Sequence, residues 1–371
     1  MNSDQPAIPA TPADLTIDSR ADSRLTRAGE RLAAILDGAI GDGYPAGATL
    51  VVADAQGELM KLTAGRSCRV GQQIATSPIT RYDLASLTKV VCTVPLVVAL
   101  AQRGVWDLDD PVARRLDGFP NGAITLRELL THTSGLPAHR EFYRLPGGPE
   151  AIREAVFAEA ADVLAPGEVV YSDLGFMLLG WALEQCAGSP LDELFEANIA
   201  SPLGMKATRF GPALADREIT AATELDGDQR LEPGLVWGDV HDGNAWALGG
   251  IAGHAGLFGP ADDLVRYVRA LITPEAHPVL SAESIAEMTR RQAGASPDVR
   301  ALGWRLDASE WGPWPERTFW HTGFTGTSLL IAPELGVAVV LLMGGVHPRR
   351  QPERQLAMRA TVHREILGAV A

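Results

Sequence analysis

The sequence predicts an α/β chain of the α+β kind: an antiparallel sheet flanked by helices and built from both chain termini, with a mainly helical lobe inserted between. Three observations carry that expectation. β-rich runs stand near the start, at 48–54 and 59–64 around Ala55-Gln-Gly57, where a hairpin is expected. A second set stands near the end, at 302–307, 318–321, 328–332 and 337–343. Between them apolar residues recur at helical spacing over 125–131, 149–160, 173–187, 191–200 and 261–273, separated by Pro- and Gly-rich loops. Strands at both ends with helices in the middle fit a layered lobe closed by distant parts of the chain.

The elements follow from local pattern. Residues 1–22, rich in Pro, Ala, Ser and Asp, read as a disordered arm. Leu25, Leu32, Ile35 and Leu36 mark a leading helix over 23–40, which the glycines of 41–47 end. Ser86 opens a long apolar helix that runs to about Arg103 and stops at Gly104. Residues 350–368 read as a closing helix. The α/β lobe is therefore expected over 23–114 and 286–371, the helical lobe over 115–285, and the active site in the cleft between them.

Composition narrows the function. The 371 residues carry a net charge of −14, which argues against nucleic acid or an anionic membrane surface as a partner and leaves neutral or cationic small substrates open. Cys68, Cys92 and Cys186 lie far apart and lack metal-ligand spacing, so neither a disulfide framework nor a metal site is expected. His241, Asp242 and His254 do not have the spacing of a metal-ligand set. The longest apolar stretch, 90–101, is too short to span a bilayer and contains Pro95. The first residues lack the basic segment and apolar run of an export signal, so a cytoplasmic location is expected.

Of 32 basic residues only three are lysine, and one of them, Lys89, follows Ser86 by three positions at the head of an apolar helix. Arginine serves as the general cation here. A lysine kept at a buried-looking position points to a task that needs an amine able to lose a proton, which guanidinium cannot do. One helical turn apart, the Lys89 amine can reach the Ser86 hydroxyl, the arrangement of a nucleophile and its base. Such a base needs burial or nearby positive charge to lower its pKa. Two further motifs follow, Tyr171-Ser-Asp173 on a loop entering a helix and His321-Thr-Gly323 on a strand. Tyr171 is the natural second acid/base. Gly323 lets a substrate lie along the strand edge, with the N–H of Phe324 pointing at it. His132 is expected to order its loop through hydrogen bonds.

These motifs, together with Tyr82-Asp-Leu-Ala-Ser-Leu-Thr-Lys89, Leu130-Thr-His-Thr-Ser-Gly-Leu-Pro137, Pro166-Gly-Glu168 and His321-Thr-Gly-Phe-Thr-Gly326, resemble the serine β-lactamase-like superfamily. That superfamily includes class C β-lactamases, D-alanyl-D-alanine peptidases, D-aminopeptidases and related esterases. The resemblance implies the β-lactamase/transpeptidase-like fold and a serine hydrolase that needs no cofactor. It implies an acyl-enzyme on Ser86, proton transfer shared by Lys89 and Tyr171, and an oxyanion hole from the N–H groups of Ser86 and Phe324. Asp173, His321, Thr322, Gly323 and His254 are then the expected substrate-binding residues. Which of Lys89 and Tyr171 is the base stays open.

Two departures shape the substrate. His321 stands where the family most often has Lys, which lowers the expectation of a β-lactamase. Asp173 stands where Asn is usual and is expected to disfavour anionic substrates. Residues 240–258, Val-His-Asp-Gly-Asn-Ala through Gly-His-Ala-Gly-Leu-Phe, resemble a subgroup that includes muropeptide amidases. An esterase or peptidase/amidase acting on a small or cell-wall-derived ester, amide or peptide is the leading reading. A β-lactamase or D-alanyl-D-alanine carboxypeptidase, a muropeptide amidase and a non-turnover penicillin-binding sensor are the alternatives.

Overall fold

The computed structural model describes residues 12–371 apart from 162, 164–166, 213 and 232. Residues 1–11 of the expected arm, and Pro166 of the Pro166-Gly-Glu168 motif, lie outside the described residues. The first third of the chain forms β1 (Asp14–Ile17), α1 (Ser23–Gly41), β2 (Gly47–Asp54), β3 (Gly57–Cys68), β4 (Ile74–Ala75) and β5 (Tyr82–Asp83). A π turn (Lys89–Thr93) then leads into α2 (Val94–Gln102). The middle holds α3 (Leu126–Leu130), α4 (Gly148–Ala161), α5 (Asp173–Ala187), α6 (Leu191–Phe195), α7 (Ser201–Leu203), β6 (Arg209–Phe210), α8 (Gly243–Ala247) and β7 (Leu257–Gly259). α9 (Ala261–Ile272), α10 (Ala282–Thr289), β8 (Phe319–Thr322), β9 (Ser328–Ala332), β10 (Val337–Met343) and α11 (Pro352–Val370) complete it.

The main sheet runs β1-β3-β2-β10-β9-β8, antiparallel throughout, with β4 added on β3. Its central pairing joins β2 to β10, from opposite ends of the chain. Leu50 and Val52 of β2, with Val339 and Leu341 of β10, face one core. Val51 and Ala53, with Val340 and Leu342, face the other. Both faces are covered, which is why these strands read as continuous apolar runs instead of alternating ones. On the first face lie α1, capped by the Asp22 carboxylate at the N–H groups of Arg24 and Leu25, and α11.

On the second face lies α9, packed on β2, β9 and β10 and tied to the sheet by the Lys61–Asp262 ion pair at 2.7 Å. Its sequence position suggested the helical lobe; its amphipathic stripe is filled by the sheet instead. α2 moves the other way. Expected with the α/β lobe, it packs against α5 and α10, because it is apolar on all sides and needs partners all round. The expected disordered arm is also corrected over its described part: Leu15 and Ile17 join the core beneath α1 and the strand pairs with β3. Residues 302–307 form no strand. Gly303 has φ +76° and only Arg305 bridges to Trp320.

Helix α2 starts from a π turn, in which the Val94 N–H reaches back to the Lys89 carbonyl. Pro95 has no N–H to continue an α-helical ladder into that turn, so the backbone widens there. Against this turn passes the 252–254 loop: Thr93 Oγ1 donates to the Gly253 carbonyl at 2.6 Å. A Cβ on Gly253 would stand 2.1 Å from the Phe176 carbonyl oxygen of α5, so the close approach requires glycine. Gly253→Ala is therefore expected to cost about 2–3 kcal/mol of folding stability. A urea-unfolding midpoint equal to that of the wild type would contradict this.

Candidate active site

Three separate segments meet at Lys89. Its Nζ donates to Ser86 Oγ at 2.9 Å, to Asp173 Oδ1 at 2.7 Å and to the His254 carbonyl at 3.1 Å, and the side chain is fully buried. Burial favours the neutral amine, but Asp173 and Tyr171 outweigh it and raise the Lys89 pKa above its ordinary value. For Asp173 burial likewise opposes charge, and Lys89, His139 and His254 overcome it, holding the carboxyl well below the usual range. The pair is thus ammonium and carboxylate through the neutral range. All three N–H donors of Lys89 are engaged, so the resting amine has no lone pair to offer.

Ser86 follows Ala85, whose φ of +47° is uncommon for a residue with a Cβ and turns the chain sharply before the hydroxyl. Thr325 Oγ1 donates to the Asp83 carbonyl at 2.7 Å and Thr327 Oγ1 to that of Leu84 at 3.2 Å, clamping this turn to the β8–β9 connection. Contact is so close that a Cβ on Gly323 would lie 2.5 Å from the Leu84 carbonyl oxygen. Among the described residues neither the Ser86 N–H nor the Phe324 N–H has an intramolecular backbone acceptor.

Tyr171 is held from behind. The buried His132 ring lies 4.5 Å from the phenol ring, and its Nδ1 accepts the Ser172 N–H at 3.0 Å, so His132 does order its loop as expected. Burial pushes the His132 imidazole well below its ordinary pKa and keeps it neutral. Ser172 caps α5 and sets Asp173 in its first turn, facing Lys89. The Lys89 amine lies 5.1 Å from the centroid of the Tyr171 ring.

A cleft of about 340 Å³ opens over Ser86 and Tyr171, with His321, Thr322, Gly323 and Phe324 on its wall. Burial holds His321 well below its ordinary pKa, so it is neutral. Its Nδ1–H donates to the Thr322 carbonyl at 2.9 Å, which leaves Nε2 as an acceptor. Asp173 pairs with Lys89 and is not among the residues that line this cleft. His254 was expected on the wall and is instead buried, its Nε2 2.9 Å from Asp242 Oδ1. It serves Lys89 through its carbonyl, because Gly253 draws the loop inward. Reading the sequence also missed His139, 3.5 Å from Asp173 Oδ2, and four arginines on the cleft wall: Arg300, Arg305, Arg350 and Arg359. No group of three potential metal ligands occurs among the described residues.

Residues 32–363 match the family Beta-lactamase. The chain belongs to that family. Within the β-lactamase family it is 30% identical over 360 residues to a putative D-alanyl-D-alanine carboxypeptidase of Salmonella gallinarum, covering 85% of this chain and 82% of that one. Among solved structures it resembles EstCE1, a hydrolase with promiscuous acyltransferase activity (TM-score 0.73, 23% identity, 91% of this chain and 99% of that one). It also resembles a class C β-lactamase from Rhodobacter sphaeroides (TM-score 0.70, 22% identity, 92% and 99%). The β-lactamase-family chain is a serine hydrolase that acts through an acyl-enzyme. Among its described residues no helix is long and apolar enough to cross a membrane.

Asp173→Asn removes the main counter-charge of Lys89 and leaves burial dominant, so the amine should titrate at lower pH in the variant than in the wild type. With three lysines in the chain, the Lys89 ¹³Cε resonance is readily resolved and followed with pH. An unshifted titration would show that Asp173 does not set the charge of Lys89.

Proposed function

We propose that Ser86 is the nucleophile and that the protein hydrolyses an amide or ester of a small, cell-wall-derived peptide, as a carboxypeptidase or amidase. One observation supports this above the others: the hydroxyl of Ser86, the amine of Lys89 and the ring of Tyr171 converge at the floor of one cleft. The kinship with proteins named putative D-alanyl-D-alanine carboxypeptidase adds to it.

In this mechanism Tyr171 reacts as its phenolate: Ser86 Oγ attacks the scissile carbonyl carbon and its proton passes to the Tyr171 oxygen, which becomes the neutral phenol. Lys89 stays an ammonium; it orients Oγ and stabilises the phenolate before the proton arrives. Charge on the carbonyl oxygen is met by the N–H groups of Ser86 and Phe324, and such donors are each worth about 10²–10³ in rate. Collapse breaks the C–N or C–O bond while Tyr171 returns the proton to the leaving atom. Water then repeats the sequence on the acyl-Ser86 ester, releasing the acid and regenerating the hydroxyl. Neutral His321, with an acceptor where the family's Lys would present a cation, counts against a β-lactamase.

Ser86→Ala should abolish labelling by a fluorophosphonate probe and lower turnover by on the order of 10⁴-fold or more. Equal labelling of both proteins would remove Ser86 as the nucleophile. Nitrophenyl esters, nitrocefin and D-amino-acid anilides assayed side by side should show turnover on the ester and anilide ahead of nitrocefin; one acylation without turnover would instead indicate a sensor.

A further inference from the structure

A single buried residue ties together the segments that frame the cleft without lining it. Asp83 is 2% exposed and is not part of the cleft wall. Its Oδ1 accepts the Ala85 N–H at 2.8 Å and its Oδ2 the His241 N–H at 2.7 Å, while its main-chain carbonyl accepts the Thr325 hydroxyl. The first bond holds the turn that presents Ser86, and the third holds the residue after Phe324. The second reaches a segment that also touches Phe324. There the His241 ring stacks on the Phe324 ring, with centroids 5.5 Å and planes 24° apart, and its Nε2 lies 3.0 Å from Glu224 Oε2.

The residue type is informative. Two N–H donors converge on the side chain, so both of its oxygens must accept. An ionised Asp does this, whereas Asn offers one acceptor oxygen and an NH₂ group that would face the other N–H. The bond to Ala85, two residues on, is an Asx turn, and it holds Ala85 at its uncommon φ of +47°. Asn would serve that turn alone and would spare the cost of burying a carboxylate. The second bond, to His241, is what the carboxylate adds.

We infer that Asp83 is a positioning residue of the hydrolysis: by bonding at once to the turn before Ser86 and to the segment stacked on Phe324, it sets the spacing of the two N–H groups that receive the oxyanion. Such donors act only where the developing charge will be, and a misplacement of about 1 Å can cost on the order of 10²-fold in rate. Asp83 acts through its neighbours and not on the substrate. The 240–258 segment, singled out by its sequence, then serves the site from both ends: His241 steadies Phe324 and the His254 carbonyl holds Lys89. This inference rests on Ser86 as the nucleophile and on the Ser86 and Phe324 N–H groups as the oxyanion donors, as proposed above.

The test compares the phenyl ester of N-acetylglycine with its thiono counterpart, in which sulfur replaces the carbonyl oxygen. Sulfur accepts N–H bonds weakly, so oxyanion donors favour the oxygen ester. Relative to hydrolysis of the two esters by hydroxide, the wild type should show the higher kcat/KM on the oxygen ester. Asp83→Asn should lower that oxygen-to-sulfur ratio by about tenfold or more, with rates referred to the protein that a fluorophosphonate probe labels. An equal loss on both esters would mean that Asp83 only supports the fold, and an unchanged ratio would mean that it does not set the donors; either result overturns the inference. His241→Ala keeps the backbone N–H but removes the stacked ring, and it tests the same link should Asp83→Asn fail to fold. It should lower the ratio, and His241→Phe, which keeps a ring, should restore it; a ratio that does not respond in this way also overturns the inference. Ser86→Ala should lose both esters together. If it keeps them, or if the wild type shows no preference for the oxygen ester, the nucleophile or the oxyanion donors are misassigned, a distinct failure that takes this inference down with it.

Discussion

The buried ion pair between Lys89 and Asp173 is the constraint on which the site depends. An ammonium without water must find acceptors for all its N–H groups, and here they come from three parts of the chain: the turn before α2, the first residue of α5 and the carbonyl of His254. Removing one partner of such a pair costs about 3–5 kcal/mol, because the other charge is left buried. That penalty gives physical sense to several local oddities. The π turn sets Lys89, Gly253 lets the carbonyl-bearing loop pass between α5 and that turn, and Ser172 caps α5 so that Asp173 faces inward.

Much of this was legible in the sequence, and the limits are physical. The observed bounds of β9 and β10 are those expected, since strands covered on both faces carry unbroken apolar runs. The pattern that marks α9 and α2 as helices says which residues are apolar but not what they pack against, so both were assigned to the wrong lobe. The strand at 14–17 has only two apolar residues amid Pro, Ala and Asp and gave no signal of its own. Residues 302–307 are apolar enough to suggest a strand, yet a glycine in a left-handed conformation breaks the run.

Ser86, Lys89, Tyr171 and His321 stood out because each sits in a short motif of chemically unusual composition. His254 was noticed for its imidazole, whereas the structure uses its backbone oxygen, a group every residue possesses and no pattern can single out. The arginines of the cleft were invisible for the opposite reason. In a chain that uses arginine wherever it needs a cation, one more offers no contrast. A total of −14 belongs to the whole chain and says nothing of the local field of a cavity.

The pairing of β2 with β10 also governs how the molecule comes into being. During synthesis β2 and β3 emerge early, but the edge of β2 that will receive β10 stays open until nearly the whole polypeptide has left the ribosome, and the strand carrying His321 joins only then. Non-local pairing of this sort folds slowly and leaves a sticky, unpaired border in the meantime. A prematurely terminated product therefore has neither a closed sheet nor a hydrolytic centre, and quality control meets an aggregation-prone fragment instead of a half-active enzyme.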